Sequence, residues 1–305
     1  PVAEIARRAR AAGAISVVSN QPTRSFEGGA TGSYLFDREG VDVYGYLSGP
    51  ITDTLRARVA VKFINDNGWV RNTATGHKDP RQDFFNARGI LTWDAAENVE
   101  VTAKFQYDDD RVDGRAMAGF PCNLTKDQAV KLVKTTSGLL GQTDHDYQKA
   151  YHGAITTTVG LGDLTLVSVT GYEEFKSDSW AAASHADPIT FDTQFFEEFQ
   201  QYSQELRLQS KAGGTFEWIV GGYLDSSRHG VDNSIRYLGR FLIFNLDGQM
   251  TSYFKQDSDT ISAFATGTWR FKDVARVIAG GRWTRIDRKG SYVLGRDFGQ
   301  NFIGS

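Results

Sequence analysis

The sequence predicts an all-β fold, an antiparallel up-and-down transmembrane β-barrel of which about eleven strands lie between residues 25 and 305. Two observations support this prediction. Polar and apolar residues alternate with a period of two along segments of about ten residues, as in strands with one apolar face. The connections between these segments alternate between very short and long. Outer-membrane barrels have this pattern, with small turns at one end and large loops at the other.

The alternation is clearest in residues 55–64, 99–108, 201–209 and 260–271. In the second of these segments the apolar positions are Val99, Val101, Ala103, Phe105 and Tyr107, with polar or charged residues between them. An Arg or Lys side chain costs about 2–4 kcal/mol at mid-depth in a bilayer, so the charged face must line an interior. That face is expected to carry Arg56, Arg58, Lys104, Glu205 and Arg207. An interior this polar predicts a lumen that is filled with water or closed by a plug.

Strand length and loop order complete the barrel prediction. The other strands are expected at 26–37, 41–50, 83–93, 149–160, 163–176, 215–229 and 275–289. Short turns are expected near residues 52–53, 94–98, 161–162, 213–214 and 272–273, and long loops at 66–82, 109–148, 177–195 and 230–250. A strand of about ten residues tilted by about 45° rises roughly 23 Å, which matches the apolar band of an outer membrane. A capping-box pattern at Thr125 predicts a helix within the loop 109–148.

Composition excludes several classes of protein. The net charge is −3, and the sequence has no basic stripe that would attract nucleic acid. No run approaches the roughly 18–20 apolar residues of a membrane-spanning helix. The 20 Phe, 12 Tyr and 6 Trp supply the aromatic girdles that a membrane barrel needs. No zinc motif or nucleophile–base signature is present, so we expect neither an enzyme nor a resident cofactor or metal.

Five segments, in order, carry a resemblance to a known family. They are Gly13–Pro22, Phe26–Tyr34, Gly45–Arg58, Asp66–Asn72 and Tyr202–Leu208. Together they resemble the end of the plug and the opening strands of TonB-dependent outer-membrane receptors, and the resemblance extends from Gly13 to the C-terminus. The physical chemistry agrees, since Pro50 suits a strand end and Asp53 suits the turn that follows.

The resemblance implies a barrel of about 22 strands that encloses a plug. Residues 1–24 would be the C-terminal remnant of the plug domain, and residues 25–305 the N-terminal half of the barrel. Such a receptor is embedded in the lipid of the bacterial outer membrane. It takes up a ferric siderophore or another bulky nutrient, with energy supplied through the TonB–ExbB–ExbD complex, which engages the N-terminal region.

The missing signal peptide, coupling box and half-barrel lead us to expect a fragment that is inactive alone, since two unpaired sheet edges are not tolerated in lipid. The alternative is a passive, porin-like outer-membrane channel, against which the plug-end segment argues. A barrel-embedded hydrolase or a structural outer-membrane protein forms a third class. Ferric siderophores, cobalamin, carbohydrates and plant aromatics all remain open as substrates.

Candidate ligand-binding residues are expected in the external loops. They are Trp180, which would stack on an aromatic or sugar ligand, together with His185 and His145. The other tryptophans are interpreted as anchors at the membrane interface. Asp108, Asp109 and Asp110, with Asp113 nearby, suggest either a calcium site or a solvated acidic rim. Cys122 is interpreted as a bystander.

Overall fold

A computed structural model describes residues 18–72, 76–114, 135–136, 144–181, 191–237, 240–241, 244–245, 248–271 and 274–298. All of its regular elements are strands. They are β1 (Glu27–Leu35), β2 (Gly40–Pro50), β3 (Leu55–Asp66), β4 (Val70–Asn72), β5 (Lys78–Asp79), β6 (Arg81–Ala96), β7 (Val99–Asp113), β8 (Thr135–Thr136), β9 (His145–Leu161), β10 (Leu164–Ala181), β11 (Phe191–Ser210), β12 (Phe216–Tyr237), β13 (Arg240–Phe241), β14 (Phe244–Asn245), β15 (Gly248–Phe271) and β16 (Ala275–Phe298).

Eleven of these strands form one sheet, in the order β1-β2-β3-β6-β7-β9-β10-β11-β12-β15-β16. Every neighbouring pair is antiparallel, and each strand pairs with the next long strand of the chain. The up-and-down topology and the number of strands are therefore as predicted. Within the described residues β1 and β16 each pair on one side only, so the sheet is open. The short strands form a three-stranded sheet, β5-β4-β8, and the hairpin β13-β14.

The predicted loop order is confirmed, but two of the four predicted long loops, 177–195 and 230–250, are too long. Within the described residues, the short-turn end has its turns at 51–54, 97–98, 162–163 and 211–215, and β15 ends at the same end of the sheet where β16 begins. At the long-loop end the strands continue past their predicted ends, so most of the expected loops 177–195 and 230–250 belong to β10, β11, β12 and β15. The backbone ladder continues there without interruption.

The two faces of the sheet are opposite in character to those of a soluble protein. The register holds one set of apolar residues in rows across the sheet, and we call this set the outer face. It includes Leu47, Val59, Leu91, Phe105, Ile155, Leu206, Val220, Leu224 and Ile261. The alternate residues form the inner face. Arg58 on the inner face is only 8% exposed, whereas Phe105 on the outer face is 54% exposed. Buried polar and exposed apolar side chains are what a membrane barrel requires.

Aromatic residues border the outer face at two levels. Trp93, Trp218 and Trp269 lie near the short-turn end, where Trp269 stacks on Phe216 with ring centroids 4.3 Å apart. The second border contains Tyr107, Tyr151, Tyr172 and Tyr202, in two pairs with ring centroids 5.1 Å and 4.9 Å apart. About eight residues of each strand separate the two borders, which corresponds to roughly 20 Å of apolar height. We call the outer surface between these borders the belt.

No helix in the described ranges is both long enough and apolar enough to span a membrane.

Candidate functional site

The inner face carries a row of rings just above the upper border of the belt. Phe175, Phe199 and His229 are direct register partners on β10, β11 and β12, and Phe254 on β15 stands diagonally next to His229. Successive ring centroids are 5.6, 6.1 and 6.0 Å apart. We call these four residues the aromatic strip. All four side chains are half-buried, so part of each ring remains open to the interior.

Carboxylates hold the histidines at this level. Nε2 of His229 lies 2.6 Å from Oε1 of Glu197. His152 lies between Asp108 and Glu173, with each of its ring nitrogens 3.7 Å from a carboxylate oxygen. Two inward-facing imidazoles are thus each fixed by acidic neighbours, and the upper inner wall is acidic on these strands.

Lower on the inner face, arginines are held in ion pairs, as the predicted charged face requires. Arg58 donates to Glu27 at 2.8 Å, and its guanidinium lies 4.1 Å from the Tyr46 ring centroid. Arg56 donates to Asp94 at 2.9 Å. Arg207 donates to Glu205 at 2.9 Å. Lys104 also lies on the inner face, as the register partner of Ile90. These pairs keep the charges in fixed positions along the interior.

The segment before β1 lies against the inner face. The Thr23 amide donates to Oγ of Ser48 at 2.9 Å, and Arg88 donates to Oγ of Ser19 at 3.3 Å. Pro22 is buried between these two anchor points. The plug-end segment predicted from the sequence therefore contacts the interior of the sheet over the residues described, 18 onward. The domain boundary at residue 24 remains a prediction.

The motif Asp66–Asn72 forms a compact hydrogen-bonded turn at the long-loop end. The Asp66 carboxylate accepts the Gly68 amide at 2.9 Å and Arg38 at 2.7 Å. Gly68 has a φ of +81°, a region that favours glycine. Asp79 is buried beside this turn, and its carbonyl accepts a hydrogen bond from the Trp69 amide at 3.2 Å. The motif alone did not indicate the part played by Asp79, which comes seven residues after the motif ends.

Two of the three predicted ligand residues are described, and the structure brings them together. Trp180 and His145 are direct register partners on β10 and β9. The expected loop positions of both residues are wrong, because each lies within a strand, and Trp180 is only 8% exposed. His145 begins β9 and stacks on Tyr147 at 4.6 Å, and both lie on the outer face. His185 lies outside the described residues. Contact of these residues with ligand remains a prediction.

The acidic run Asp108–Asp110 is split by the strand. Asp108 and Asp110 point inward and accept from Asn86 and Gln82 at 2.6 and 2.9 Å. Asp109 points outward, where Arg111 donates to it at 3.0 Å. Within the described part of the chain no cluster of three metal-ligating side chains occurs, so these oxygens do not converge on one cation. The capping-box helix and Cys122 lie outside the described residues.

No protein-family profile matches the sequence, and no curated protein matches it. Among solved structures, the ferric yersiniabactin uptake receptor FyuA from Yersinia pestis is similar, with a TM-score of 0.69 and 16% identity, covering 92% of this chain and 43% of that receptor. The outer-membrane ferripyoverdine receptor of Pseudomonas aeruginosa, bound to ferripyoverdine, is similar with a TM-score of 0.63 and 13% identity. The match covers 91% of this chain and 39% of that receptor. The unliganded ferric citrate transporter FecA is similar with a TM-score of 0.51 and 9% identity, and the match covers 90% of this chain and 42% of that transporter.

The chain thus spans about two fifths of the length of the receptors it resembles. At these identities the likeness shows the fold. The fold that the sequence and its resemblance to TonB-dependent receptors implied, part of an antiparallel up-and-down barrel, is confirmed.

Proposed function

We propose that this chain is part of a TonB-dependent receptor that takes up a ferric siderophore, or another bulky nutrient, across the bacterial outer membrane. The observation that carries the proposal is the inverted eleven-stranded sheet, with its apolar belt outside and fixed charges inside. The likeness to a ferric yersiniabactin uptake receptor over 92% of the chain supports it.

In this proposal each surface has a separate task. The belt faces lipid, where apolar and aromatic side chains are favoured. The inner wall surrounds the plug and the ligand, and the segment at Ser19 and Thr23 is the last part of that plug. The TonB–ExbB–ExbD complex would supply energy through the N-terminal region of the complete receptor. The protein binds and transports its ligand without chemical conversion.

The proposal is tested with the complete reading frame that contains these 305 residues. It is expressed in a bacterial strain that lacks its own siderophore receptors, and growth is measured under iron limitation with a panel of ferric chelates and cobalamin. We expect at least one of these compounds to restore growth, and deletion of TonB to abolish the effect.

Two results would count against the proposal. Uptake that persists without TonB and increases linearly with ligand concentration would indicate the passive channel instead. Absence of the protein from the outer-membrane fraction would contradict the membrane assignment itself. A signal peptide and coupling box upstream in the gene would add support that does not depend on the growth assay.

A further inference from the structure

We propose that the aromatic strip selects ligands that carry an aromatic group and are uncharged or cationic, and that it disfavours anionic chelates. The inference rests on the proposed function and names the class of ligand for the same interior surface. It is carried by the juxtaposition of four inward-facing rings on four strands with carboxylates on three of those strands.

The strip is built on regular strands, so its rings are held in fixed positions. Phe175, Phe199 and His229 occupy equivalent inward positions on three adjacent strands. Ring spacings of 5.6–6.1 Å lie within the range of favourable aromatic pairs. A flat ligand group laid across such a row contacts several rings at once, without any need to order a loop first.

The rings are also unusual for their location. Other apolar side chains on the inner face, such as Ile90 and Val167, are almost fully buried, whereas the rings of the strip are half-exposed, and such a row in a water-filled interior is unfavourable unless something covers it. The strip lies about eleven residues from the short-turn end of β11, which corresponds to roughly 25 Å of height. That level lies just above the belt, and β11 and β12 continue for eight residues beyond Phe199 and His229, so an external ligand passes this upper wall before it reaches the strip.

Charge around the strip determines which aromatic ligands fit. Glu173 on β10 and Glu197 on β11 occupy inner-face positions next to the strip, and Asp225 on β12 lies two inner-face positions below His229. Within residues 171–177, 197–203 and 225–231 no Lys or Arg points inward. Carboxylates in a confined space repel an anion and attract a cation, and the effect is larger than in open water.

Histidine does not reverse this preference. His229 is in direct contact with Glu197 at 2.6 Å. His152 is shared between Asp108 and Glu173. Any positive charge on these imidazoles is therefore already matched by an adjacent carboxylate. Lower on the wall, Arg58 is similarly occupied by Glu27.

The test uses four ferric probes with the complete receptor in detergent, and tryptophan fluorescence quenching measures each Kd. The probes are tris(8-hydroxyquinolinate) iron(III), aromatic and neutral; tris(catecholate) iron(III), aromatic and anionic; ferrioxamine B, ringless and cationic; and ferric citrate, ringless and anionic. We expect the neutral aromatic complex to bind at least about tenfold more tightly than the catecholate.

Two variants separate the contributions of ring and charge. Phe199→Leu keeps an apolar side chain without the ring and should weaken the quinolinate complex about tenfold, with little effect on ferrioxamine B. Glu197→Gln keeps the contact with His229 without the charge and should narrow the discrimination against catecholate about fivefold. The matched control is Phe196→Leu, on the outer face of the same strand, which should leave all four affinities unchanged.

The inference is overturned if catecholate binds as tightly as the neutral complex, or if Phe199→Leu and Phe196→Leu behave alike. It is also overturned if none of the four probes binds. The proposed function is judged separately by TonB-dependent growth. TonB-dependent import of a ringless or anionic chelate would support the proposed uptake function but would contradict the role of the strip.

Discussion

The lower and upper halves of the long strands share one hydrogen-bond ladder but are stabilised by different side-chain interactions. In β12 the outer face of the lower half presents Trp218, Val220 and Leu224, and its upper half presents Arg228 and Asp232. The register continues unbroken from Phe216 to Tyr237. The backbone hydrogen bonding is therefore the same in both halves, and only the side chains differ between them.

In the upper half, polar contacts replace the belt. Asp192 is 1% exposed, and its carboxylate accepts hydrogen bonds from Nε and Nη2 of Arg236 at 2.9 and 2.8 Å. Tyr147 donates its hydroxyl to Asp113 at 2.6 Å. This hydrogen bond, followed by burial, raises the pKa of Tyr147 to about 12, so the hydroxyl remains a donor at neutral pH. We infer that lipid contact specifies the outer face of the lower half, whereas paired polar groups specify the upper half.

The difference between the two halves is tested most strongly when the same charge is placed in each half of β11. Leu206→Arg introduces a cation into the belt and should lower the free energy of unfolding by about 2–4 kcal/mol. Gln194→Arg makes the same side chain on the outer face of the upper half, where water is available, and should cost less than about 0.5 kcal/mol. Urea titration of the complete receptor in lipid vesicles measures both values.

Equal costs for Leu206→Arg and Gln194→Arg would mean that the belt does not meet lipid. A large loss for Gln194→Arg alone would mean that the upper half packs against something apolar. Folding efficiency, read from the heat-modifiable mobility on gels, controls for variants that fail to insert.

The same contrast explains which parts of the fold the sequence predicted. In 99–108 one face meets lipid and the other the interior, so Phe105 and Lys104 alternate and the strand is visible. Near Ser234 the outer face carries polar partners such as Ser234 and Thr251 in place of the apolar belt residues, so the segment was interpreted as a loop. The loops 177–195 and 230–250 were overestimated for this reason.

The candidate site was predicted less well, because its geometry depends on register between distant segments. The inward direction of Arg58 and Arg207 follows from alternation alone. The aromatic strip does not, since Phe175, Phe199, His229 and Phe254 come from four strands and share no motif. Trp180 was predicted because it is a ring in an expected loop. The signal for the strip is the alignment of inward positions on successive hairpins, which places Phe199 beside His229.

A second experiment asks whether the upper half depends on its buried ion pair. Asp192→Ala leaves the Arg236 guanidinium without its two acceptors and should destabilise the local structure by about 1.5–3 kcal/mol. Hydrogen exchange of amides 192–198 and 230–236 should quicken, while amides in the belt stay protected. Asp192→Asn keeps one acceptor and should produce a smaller change. Faster exchange in the belt as well would show that the two halves unfold together.

The smallest expected effect belongs to an exposed pair in the same region. Arg228 lies 3.3 Å from Asp257, and its side chain is 63% exposed, against 46% for Arg236 and 2% for the side chain of Asp192. Because water and salt screen such a pair, Arg228→Ala should cost about 0–1 kcal/mol, and high salt should remove that cost. The loss on Asp192→Ala should persist in high salt, since burial shields its pair. If both losses decline equally with salt in vesicle titrations, burial does not distinguish the two pairs, and the upper half is held by its backbone ladder alone.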